Sequence, residues 1–416
     1  MKFIYGFGLV VCSYLLFKYK QKKQRLLLVH SNNRLSRLFY LINSKFFESF
    51  RPSLFLFSGH AQTVVLELLH ILMTFFKNVF NFYNFNYRRE IFTLSDGCTL
   101  AVDCANKKNT NSDKSQQNEY KKILIIFPGV TSSSEDYYIK SLVEDFLDEF
   151  DCRVLNARGI GGLKLTTPKL ISTECYKDVA EYILRTSEEN KDKNIFGLGF
   201  SFGGMLLARY LGEEPEKVPE NFLAGCGLCY PNCLEQSKNY GEFHFNGLYS
   251  KAVLKNLKQI FFDNIDVMFD KKHYENNQKL ITLPEKKDQI LKELKECKLL
   301  SDFDKVWTLR ILDYDNLSQY YHESKLEKYI ARIEVPFFSM FTEDDPIIPF
   351  NSIPFKTLQN NPNTVTAVTQ TGGHLGFFTG VVIPQREIDQ PIKTFFKTVE
   401  ILKDTSNCMC DDKVLS

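Results

Sequence analysis

Short apolar runs alternate with longer amphipathic segments over most of the chain from residue 122 onwards. The apolar runs predict strands at 123–127, 152–156, 194–198, 224–228, 335–341 and 364–369. The amphipathic segments predict helices at about 134–150, 173–188 and 385–402. Continuous apolar strands separated by helices are typical of a mostly parallel sheet with both faces covered. The pattern therefore predicts an α/β fold.

Three segments depart from this alternation. Residues 88–104 alternate around Ser95-Asp96-Gly97, and a D-G turn between two extended runs predicts a β-hairpin. Residues 232–330 are rich in Lys, Asn and Glu with helical periodicity, which predicts a helical insertion. The polar residues 107–122 predict a surface loop.

These patterns divide the chain into six parts. We expect a membrane anchor with a basic flank at 1–25, an apolar helical region at 26–87, the first part of the α/β core at 88–230, a helical cap insertion at 231–331, the second part of the core at 332–402 and a tail at 403–416.

The first residues determine how the chain would meet a membrane. Residues 3–17 are apolar or small, and five Lys or Arg residues follow between positions 18 and 25. A helix of 15 residues rises only about 22 Å, so flanking lysines would have to reach the interface of a hydrocarbon core about 30 Å thick. A signal peptide carries its charges before the apolar run and ends in small residues, unlike this segment. We therefore expect an uncleaved single-pass anchor, and the positive-inside rule would keep the rest of the chain in the cytosol.

The region after the basic flank is rich in Phe and Leu. Between residues 64 and 85 the apolar residues are too dense for one face of a helix. Two interpretations remain open: buried helices packed on the main domain, or a surface that contacts lipid beside the anchor. The side chains suited to lipid contact are Phe75, Phe76, Phe80, Phe82 and Phe85.

Composition and charge exclude several classes of protein. The 52 Lys and Arg residues against 50 Asp and Glu residues leave a net charge of +2, which does not favour nucleic acid as a partner. A mean hydropathy of −0.22 excludes a polytopic membrane protein. The eleven cysteines are scattered without a repeating frame, so we interpret them as mostly free thiols of a reducing compartment.

A candidate nucleophile lies where a predicted strand runs into a predicted helix. Gly199-Phe200-Ser201-Phe202-Gly203 matches G-x-S-x-G in the strand-turn-helix context that its mechanism requires. The glycines leave space for a sharp turn, which exposes the serine hydroxyl above the sheet. The pattern predicts Ser201 as a catalytic nucleophile.

A serine needs a base, and in this architecture an acid and then a histidine follow it along the chain. Asp345 comes at the end of the predicted strand 335–341, and we expect it to orient the base, with the adjacent Asp344 as the competing choice. His374 lies in a glycine-flanked loop after the strand 364–369 and is the expected general base. His60 precedes the core, and we interpret it as structural.

The oxyanion of a tetrahedral intermediate needs two N–H donors, from the residue after the nucleophile and from the loop after an earlier strand. These would be the backbone groups of Phe202 and Val130. The spacing of Cys226, Cys229 and Cys233 suggests a metal site, but no fourth ligand follows nearby, so core thiols are favoured. We expect no cofactor and no metal.

Together these motifs resemble a family of membrane-anchored α/β hydrolases. It includes bacterial YheT-like esterases, plant embryogenesis-associated proteins and the abhydrolase-domain lipases of animals and fungi. The resemblance extends from about residue 58 to 378 and rests on these segments: Gly59-His60-Ala61-Gln62-Thr63, Phe127-Pro128-Gly129-Val130-Thr131, Asn156-Ala157-Arg158-Gly159, residues 199–206, Asp344-Asp345-Pro346 and Gly372-Gly373-His374-Leu375-Gly376. The chain departs from the family pattern at Phe127, where His is usual, and at Phe202, where Met is usual.

The resemblance implies an α/β-hydrolase fold with a helical cap and a single-pass membrane location, in the endoplasmic reticulum or another endomembrane. It implies acyl esters of lipids, including acylglycerols and phospholipids, as substrates, and no obligate protein partner. Many family members have a lumenal catalytic domain, opposite to the orientation that the basic flank predicts, so both orientations remain open. A stretch near residues 313–320 is shorter than usual in the part that covers the site, which affects substrate preference.

Three functions remain as hypotheses. The leading one is a serine hydrolase of carboxylic esters that acts through Ser201, His374 and Asp345. The second is an acyltransferase, in which an alcohol instead of water resolves the same acyl-enzyme. The third is a non-catalytic membrane scaffold that has kept the fold.

Overall fold

The computed structural model describes residues 26–53, 55–56, 58–76, 82–108, 120–380 and 385–408. The predicted anchor and basic flank at 1–25 lie outside these residues, and so does most of the loop predicted at 107–122. The end of the predicted tail, from 409 to 416, also lies outside them.

Nine strands form one sheet at the centre of the described chain. In chain order they are β1 (Leu26–His30), β2 (Phe85–Thr93), β3 (Thr99–Lys107), β4 (Lys122–Phe127), β5 (Asp151–Leu155), β6 (Asn194–Phe200), β7 (Phe222–Leu228), β8 (Phe337–Thr342) and β9 (Thr364–Thr369). Their order across the sheet is β1-β9-β8-β7-β6-β4-β5-β3-β2. Strands β4 to β9 pair in parallel, whereas β1, β2 and β3 pair antiparallel at the two edges. The predicted α/β class with a mostly parallel sheet is confirmed.

The parallel strands are apolar along their whole length. β4 has the sequence KILIIF, and every residue after its lysine is buried; β7 and β8 are buried at every position. Both faces of these strands are covered, so each side chain needs an apolar environment whichever face it occupies. The carboxyl ends of the parallel strands share one edge of the sheet, where the residues that follow them meet.

Helices cover both faces of the sheet. In chain order they are α1 (Arg34–Ser49), α2 (Gly59–Phe76), α3 (Tyr137–Phe146), α4 (Tyr176–Glu189), α5 (Phe202–Glu213), α6 (Leu234–Phe243), α7 (Leu248–Phe262), α8 (Ile265–Met268), α9 (Lys287–Glu296), α10 (Leu300–Phe303), α11 (Leu309–Leu312), α12 (Leu317–Glu323), α13 (Glu327–Ile330), α14 (Phe355–Asn360) and α15 (Asp389–Cys408). Helices α1, α2, α3 and α15 share an apolar core with Phe196 and Phe338 of the sheet. Helices α4 and α5 pack on the other face, around Ile125 and Phe337.

The segment between β7 and β8 consists of the helices α6 to α13 with connecting turns. It has an apolar cluster separate from the two cores of the sheet, built around Leu254, Phe261, Leu294 and Trp307. The rings of Phe261 and Trp307 meet edge to face with their centroids 4.6 Å apart, a favourable arrangement for aromatic pairs. The inserted helices are therefore held together by this cluster, to which Leu165 and Leu170 of the loop before α4 also belong.

The amino-terminal region differs from its predicted helical structure. Leu26–His30 forms the edge strand β1, which pairs antiparallel with β9 in the register Leu26 to Thr369 and His30 to Val365. The five residues LLLVH are too short for their periodicity to separate a strand from a helix. These residues form a strand because they pair with β9, which comes much later in the chain.

The last helix also differs from its prediction over 385–402. Residues Gln385–Arg386 form a short strand, β11, which pairs with β10 (Phe378–Thr379). Helix α15 begins at Asp389 and continues to Cys408, into the segment expected to be a tail. The helix predicted at 134–150 is shorter and spans Tyr137–Phe146.

Helix α2 lies in the region with two open interpretations. Among the described residues, it is the helix that is long and apolar enough, by length and composition, to cross a membrane. It buries Gly59, Gln62 and Leu66 against the domain, while Ile71 and Phe75 on the outer face are 55% and 77% exposed. Helix α2 is therefore buried on one face and exposed on the other, so each of the two interpretations describes one of its faces.

The first residue of α15, Asp389, has a buried carboxyl group. Asp389 is 6% exposed, and its Oδ1 has no hydrogen-bond partner among the described residues. Burial, opposed by Arg386, raises the pKa of Asp389 to about 7. Because this pKa lies above the unfolded value of about 4, folding favours the protonated acid, and the stability that it contributes is lost as the pH rises from about 4 to 7.

We therefore expect Asp389→Asn, which stays neutral at every pH, to raise the free energy of unfolding by about 1–3 kcal/mol at pH 8. At pH 5 the folded carboxyl is protonated while most of the unfolded carboxyl is already ionised, so we expect a gain of only about a third of that at pH 8. Urea unfolding of both proteins at the two pH values measures the difference. An equal gain at pH 5 and pH 8 would contradict the titration of Asp389.

Candidate active site

Ser201 lies in a tight turn between β6 and α5. Its backbone has a φ of +50°, a conformation that costs energy for a residue other than glycine and is concentrated at functional sites. A side chain at Gly199 would lie 2.4 Å from the backbone of Gly204, and one at Gly203 would lie 2.2 Å from the carbonyl oxygen of Phe127. The flanking glycines are therefore required by close backbone contacts around the serine.

His374 links Ser201 to Asp345. Its Nε2 is 2.9 Å from Ser201 Oγ, and its Nδ1 is 2.9 Å from Asp345 Oδ2. The three residues come from the turns after β6, β8 and β9, at the carboxyl edge of the sheet. All three are buried, with exposed fractions of 8% for Ser201, 3% for Asp345 and 8% for His374. The structure thus brings the predicted nucleophile, acid and base into one hydrogen-bonded chain.

The two neighbouring aspartates have different partners. Asp345 faces His374 with one oxygen, and its Oδ1 accepts the backbone N–H groups of Ile347 and Ile348 at 2.8 and 2.9 Å. Asp344 Oδ1 accepts the N–H groups of Gly372 and Gly373, at 3.0 and 2.9 Å, in the loop that carries the histidine. Burial raises the pKa of Asp344. Asp345 therefore contacts the imidazole of His374, whereas Asp344 binds the backbone of the loop that carries His374.

The two expected oxyanion donors lie beside the serine. Phe202 follows Ser201 as the first residue of α5, and both line a cavity together with Val130. A side chain at Gly129 would lie 3.4 Å from Ser201 Cβ, so the loop after β4 passes close to the nucleophile. Within the described residues, the N–H groups of Phe202 and Val130 donate to no protein acceptor. They are available to a bound oxygen.

The amino end of α2 supports the loop that carries His374. The sequence did not predict this support. Thr63 Oγ1 accepts the backbone N–H of His374 at 2.8 Å, and Gln62 Oε1 accepts the N–H of Phe378 at 2.8 Å. A side chain at Gly59 would lie 1.8 Å from the carbonyl oxygen of Asp344. The sequence did contain a pointer to this support, the G-H-A-Q-T run at residues 59–63, which belongs to the family resemblance. The sequence alone did not show which residues this run contacts.

We expect Thr63→Val to lower kcat for ester cleavage about tenfold with little change in KM. The valine has the same shape but accepts no hydrogen bond, so the N–H of His374 loses its partner, and an unsatisfied buried donor costs about 1–3 kcal/mol. Thr63→Ser keeps the hydroxyl and is the rescue control. A loss in the serine variant equal to that in the valine variant would show that packing of the threonine methyl, not its hydrogen bond, is responsible.

A cavity of 120 Å³ opens at Ser201. Its walls come from the core and from the inserted helices, and most of them are apolar: Leu234, Tyr249, Val253, Leu257, Ile347 and Ile348. The ion pair between Lys238 and Asp304 is the charged part of the wall. His60 Nδ1 lies 3.1 Å from the hydroxyl of Tyr249, so the residue interpreted as structural joins α2 to the inserted helix α7.

The three cysteines with suggestive spacing are all buried, with exposed fractions of 0% for Cys226 and Cys229 and 7% for Cys233. Among the described residues, one group has ligand atoms within 4.8 Å of one another, and it combines Cys229 with Asp345 and His374. Both ring nitrogens of that histidine already face Ser201 and Asp345. Burial, with a contribution from Asp345, raises the pKa of the Cys229 thiol, which disfavours the thiolate that binds metals.

Known proteins resemble this chain over most of its length. A family model described as the alpha/beta hydrolase fold matches residues 122–381. An embryogenesis-associated protein of Picea glauca is 28% identical over 300 residues, which cover 70% of this chain and 62% of that protein. A monoacylglycerol lipase of Saccharomyces cerevisiae is 25% identical over 363 residues, 78% of this chain and 75% of the yeast protein. The phospholipase ABHD3 of Mus musculus is 25% identical over 390 residues, 92% of this chain and 85% of the mouse protein.

Proposed function

Because the chain belongs to the α/β-hydrolase fold family, we propose that it is a serine hydrolase that cleaves acyl esters of lipids through Ser201, His374 and Asp345. Membership confirms the family resemblance and the hydrolase class expected from the sequence. The observation that supports the roles of these residues is the position of His374, whose two ring nitrogens lie 2.9 Å from the serine and from the aspartate.

The first step of the proposed reaction is activation of the serine. His374 Nε2 accepts the proton of the Ser201 hydroxyl while Oγ attacks the carbonyl carbon of the ester. Asp345 accepts the Nδ1–H of the imidazole, which fixes the tautomer with a free lone pair on Nε2 and stabilises the imidazolium that forms. The two backbone N–H groups on Asp345 Oδ1 hold the carboxylate in this orientation.

The second step is collapse of the tetrahedral intermediate. The N–H groups of Phe202 and Val130 would donate to its oxyanion, and the loss of one such donor costs about 3 kcal/mol in comparable sites. The imidazolium of His374 returns its proton to the leaving alcohol, which departs and leaves an acyl-enzyme on Ser201. Water then repeats the sequence, with His374 as its base, and releases the carboxylic acid.

The walls of the cavity support a lipid ester as substrate. Apolar side chains of the inserted helices line the same cavity as the serine, and burial of an acyl chain against them is favourable by about 0.8 kcal/mol per CH₂ group. Two relatives carry the names of a monoacylglycerol lipase and a phospholipase. In this proposal the inserted helices act as a cap over the site, and residues 3–17 anchor the enzyme in an endomembrane.

Labelling with a fluorophosphonate probe tests the nucleophile. The full chain in detergent should react with the probe, and Ser201→Ala should not, because the probe reacts with serines activated by a neighbouring base. Ser132→Ala is the control, since this serine follows the loop near the site but faces no base in the proposed reaction. Equal labelling of the wild type and Ser201→Ala would refute the assignment of Ser201.

Analysis of the products tests the reaction. Phospholipid and monoacylglycerol carrying a labelled acyl chain should each be compared in water and with added ethanol. Free fatty acid in both media supports hydrolysis. Ethyl ester as the main product would instead favour the acyltransferase.

A further inference from the structure

The outer face of α2 is an apolar stripe. Five apolar residues on this face are exposed, with fractions of 47% for Val64, 47% for Leu68, 55% for Ile71, 43% for Leu72 and 77% for Phe75. Their spacing of three, four and seven places them on one side of the helix, opposite Gln62 and Leu66, which are buried against the domain. A helix at the surface of a soluble domain normally presents polar side chains to water.

The charges around this stripe are few. In the 18 residues of α2, Glu67 is the one acidic residue, and there is no Lys or Arg. A contiguous exposed apolar face of this kind is typical of a site for a protein partner or a membrane.

The sequence before the described residues favours a bilayer. Residues 3–17 are apolar, and the chain then needs nine positions to reach β1 at Leu26. Nine residues extend at most about 30 Å, so a membrane that holds the apolar segment comes within that distance of the domain. An exposed apolar helix on a domain held so close to a bilayer has a lipid surface within reach.

The position of α2 connects this surface with the active site. Its amino end carries Thr63, which binds the His374 loop, and His60, which contacts Tyr249 in the wall of the cavity. The helix is about 27 Å long, and its exposed carboxyl end carries Phe75. One end of the same helix therefore contacts the wall of the cavity through Tyr249, and the other end presents the exposed ring of Phe75.

We propose that the outer face of α2 docks on the surface of a phospholipid bilayer, so that the mouth of the Ser201 cavity opens beside the lipid. Docking is independent of catalysis, whereas delivery of an ester from the bilayer to Ser201 rests on the proposed function. The side chains from Leu68 to Phe75 would lie at the boundary between headgroups and acyl chains, as the apolar faces of interfacial helices do.

Fluorescence quenching tests docking without any need for activity. The full chain with Ser201→Ala is placed in phosphatidylcholine vesicles whose acyl chains carry bromine, and a tryptophan is introduced by Phe75→Trp. The matched control is Phe243→Trp, because Phe243 is 82% exposed at the end of α6 in the inserted helices. Trp307 is 1% exposed and is common to both proteins, so the signal of the parent is subtracted.

The proposal predicts strong quenching of the tryptophan at position 75 and little at position 243. The absence of quenching at 75 would overturn it. A blue-shifted emission at 75 that bromine does not quench would also overturn it, since a second copy of the chain or its own apolar segment would then cover the stripe. Equal quenching at both positions would refute α2 as the docking face.

A second measurement connects docking with catalysis. Ile71→Glu with Phe75→Glu should lower the hydrolysis of vesicle-borne ester about five- to tenfold and leave hydrolysis of a soluble short-chain ester unchanged. Ile91→Glu with Phe243→Glu adds the same charges at positions 55% and 82% exposed, and both rates should stay unchanged. An equal fall on the two substrates would overturn the proposal, whereas no activity of the parent protein on either ester would count against the proposed function and leave the quenching result valid.

Discussion

Replacement of His374 with alanine is expected to lower kcat for ester hydrolysis by about a million-fold, as loss of the base does in comparable serine enzymes. Without the imidazole, no group takes the proton of Ser201, whose hydroxyl is a weak nucleophile at neutral pH. The contacts of the serine with its turn do not depend on His374, so the protein should fold normally. Hydrolysis of a soluble chromogenic ester measures the rate, and circular dichroism checks the fold.

The matched control is His322→Ala, because His322 is an exposed histidine in α12, among the inserted helices. Its replacement should leave kcat within about twofold, as surface substitutions usually change stability little. A His374 variant that keeps more than about a hundredth of the wild-type kcat would refute the role of this residue as general base.

Asp345→Asn should lower kcat about ten-thousand-fold, whereas Asp344→Asn should lower it no more than about tenfold. An asparagine at 345 can donate its amide N–H to His374 Nδ1, which favours the tautomer with the proton on Nε2, and that nitrogen can then no longer accept a proton from Ser201. At 344 the side-chain oxygen of asparagine still accepts the N–H groups of Gly372 and Gly373, so the loop is retained.

The two substitutions remove one carboxylate each from adjacent positions, so each is the control of the other. Steady-state kinetics on a soluble ester give kcat and KM for both, and thermal unfolding shows whether either change loosens the loop. If Asp344→Asn caused the larger loss of kcat while the protein stayed folded, the assignment of the acid to Asp345 would be wrong.

The sequence carried enough information to place the strands of the parallel sheet and the turns that follow them. Buried strands read as continuous apolar runs, and the residues at their carboxyl ends share one edge. Ser201 and His374 could therefore be assigned to the same site before any distance was known. For the acid, the sequence favoured Asp345 and left Asp344 as the competing choice, because the path of the turn decides which carboxylate reaches the imidazole.

Contacts between distant parts of the chain could not be predicted either, because they too depend on the folded path of the backbone. The hydrogen bond of Thr63 to His374 joins residues on two elements that are neighbours only in the folded state. The strand β1 is likewise defined by its partner β9, because five apolar residues carry too little periodicity of their own. The exposed face of α2 could be suspected from its phenylalanines, but its orientation depended on which side packs against the sheet.

The pairing of β1 with β9 has a consequence for the preparation of a soluble form of the protein. Without Leu26–His30, β9 becomes the edge of the sheet and presents a row of unpaired N–H and C=O groups. Such edges recruit strands from other molecules, and this one leads directly into the loop of His374. A chain shortened to remove its apolar first residues should therefore begin before Leu26. A later start would remove the apolar segment but expose the edge of β9, which promotes aggregation.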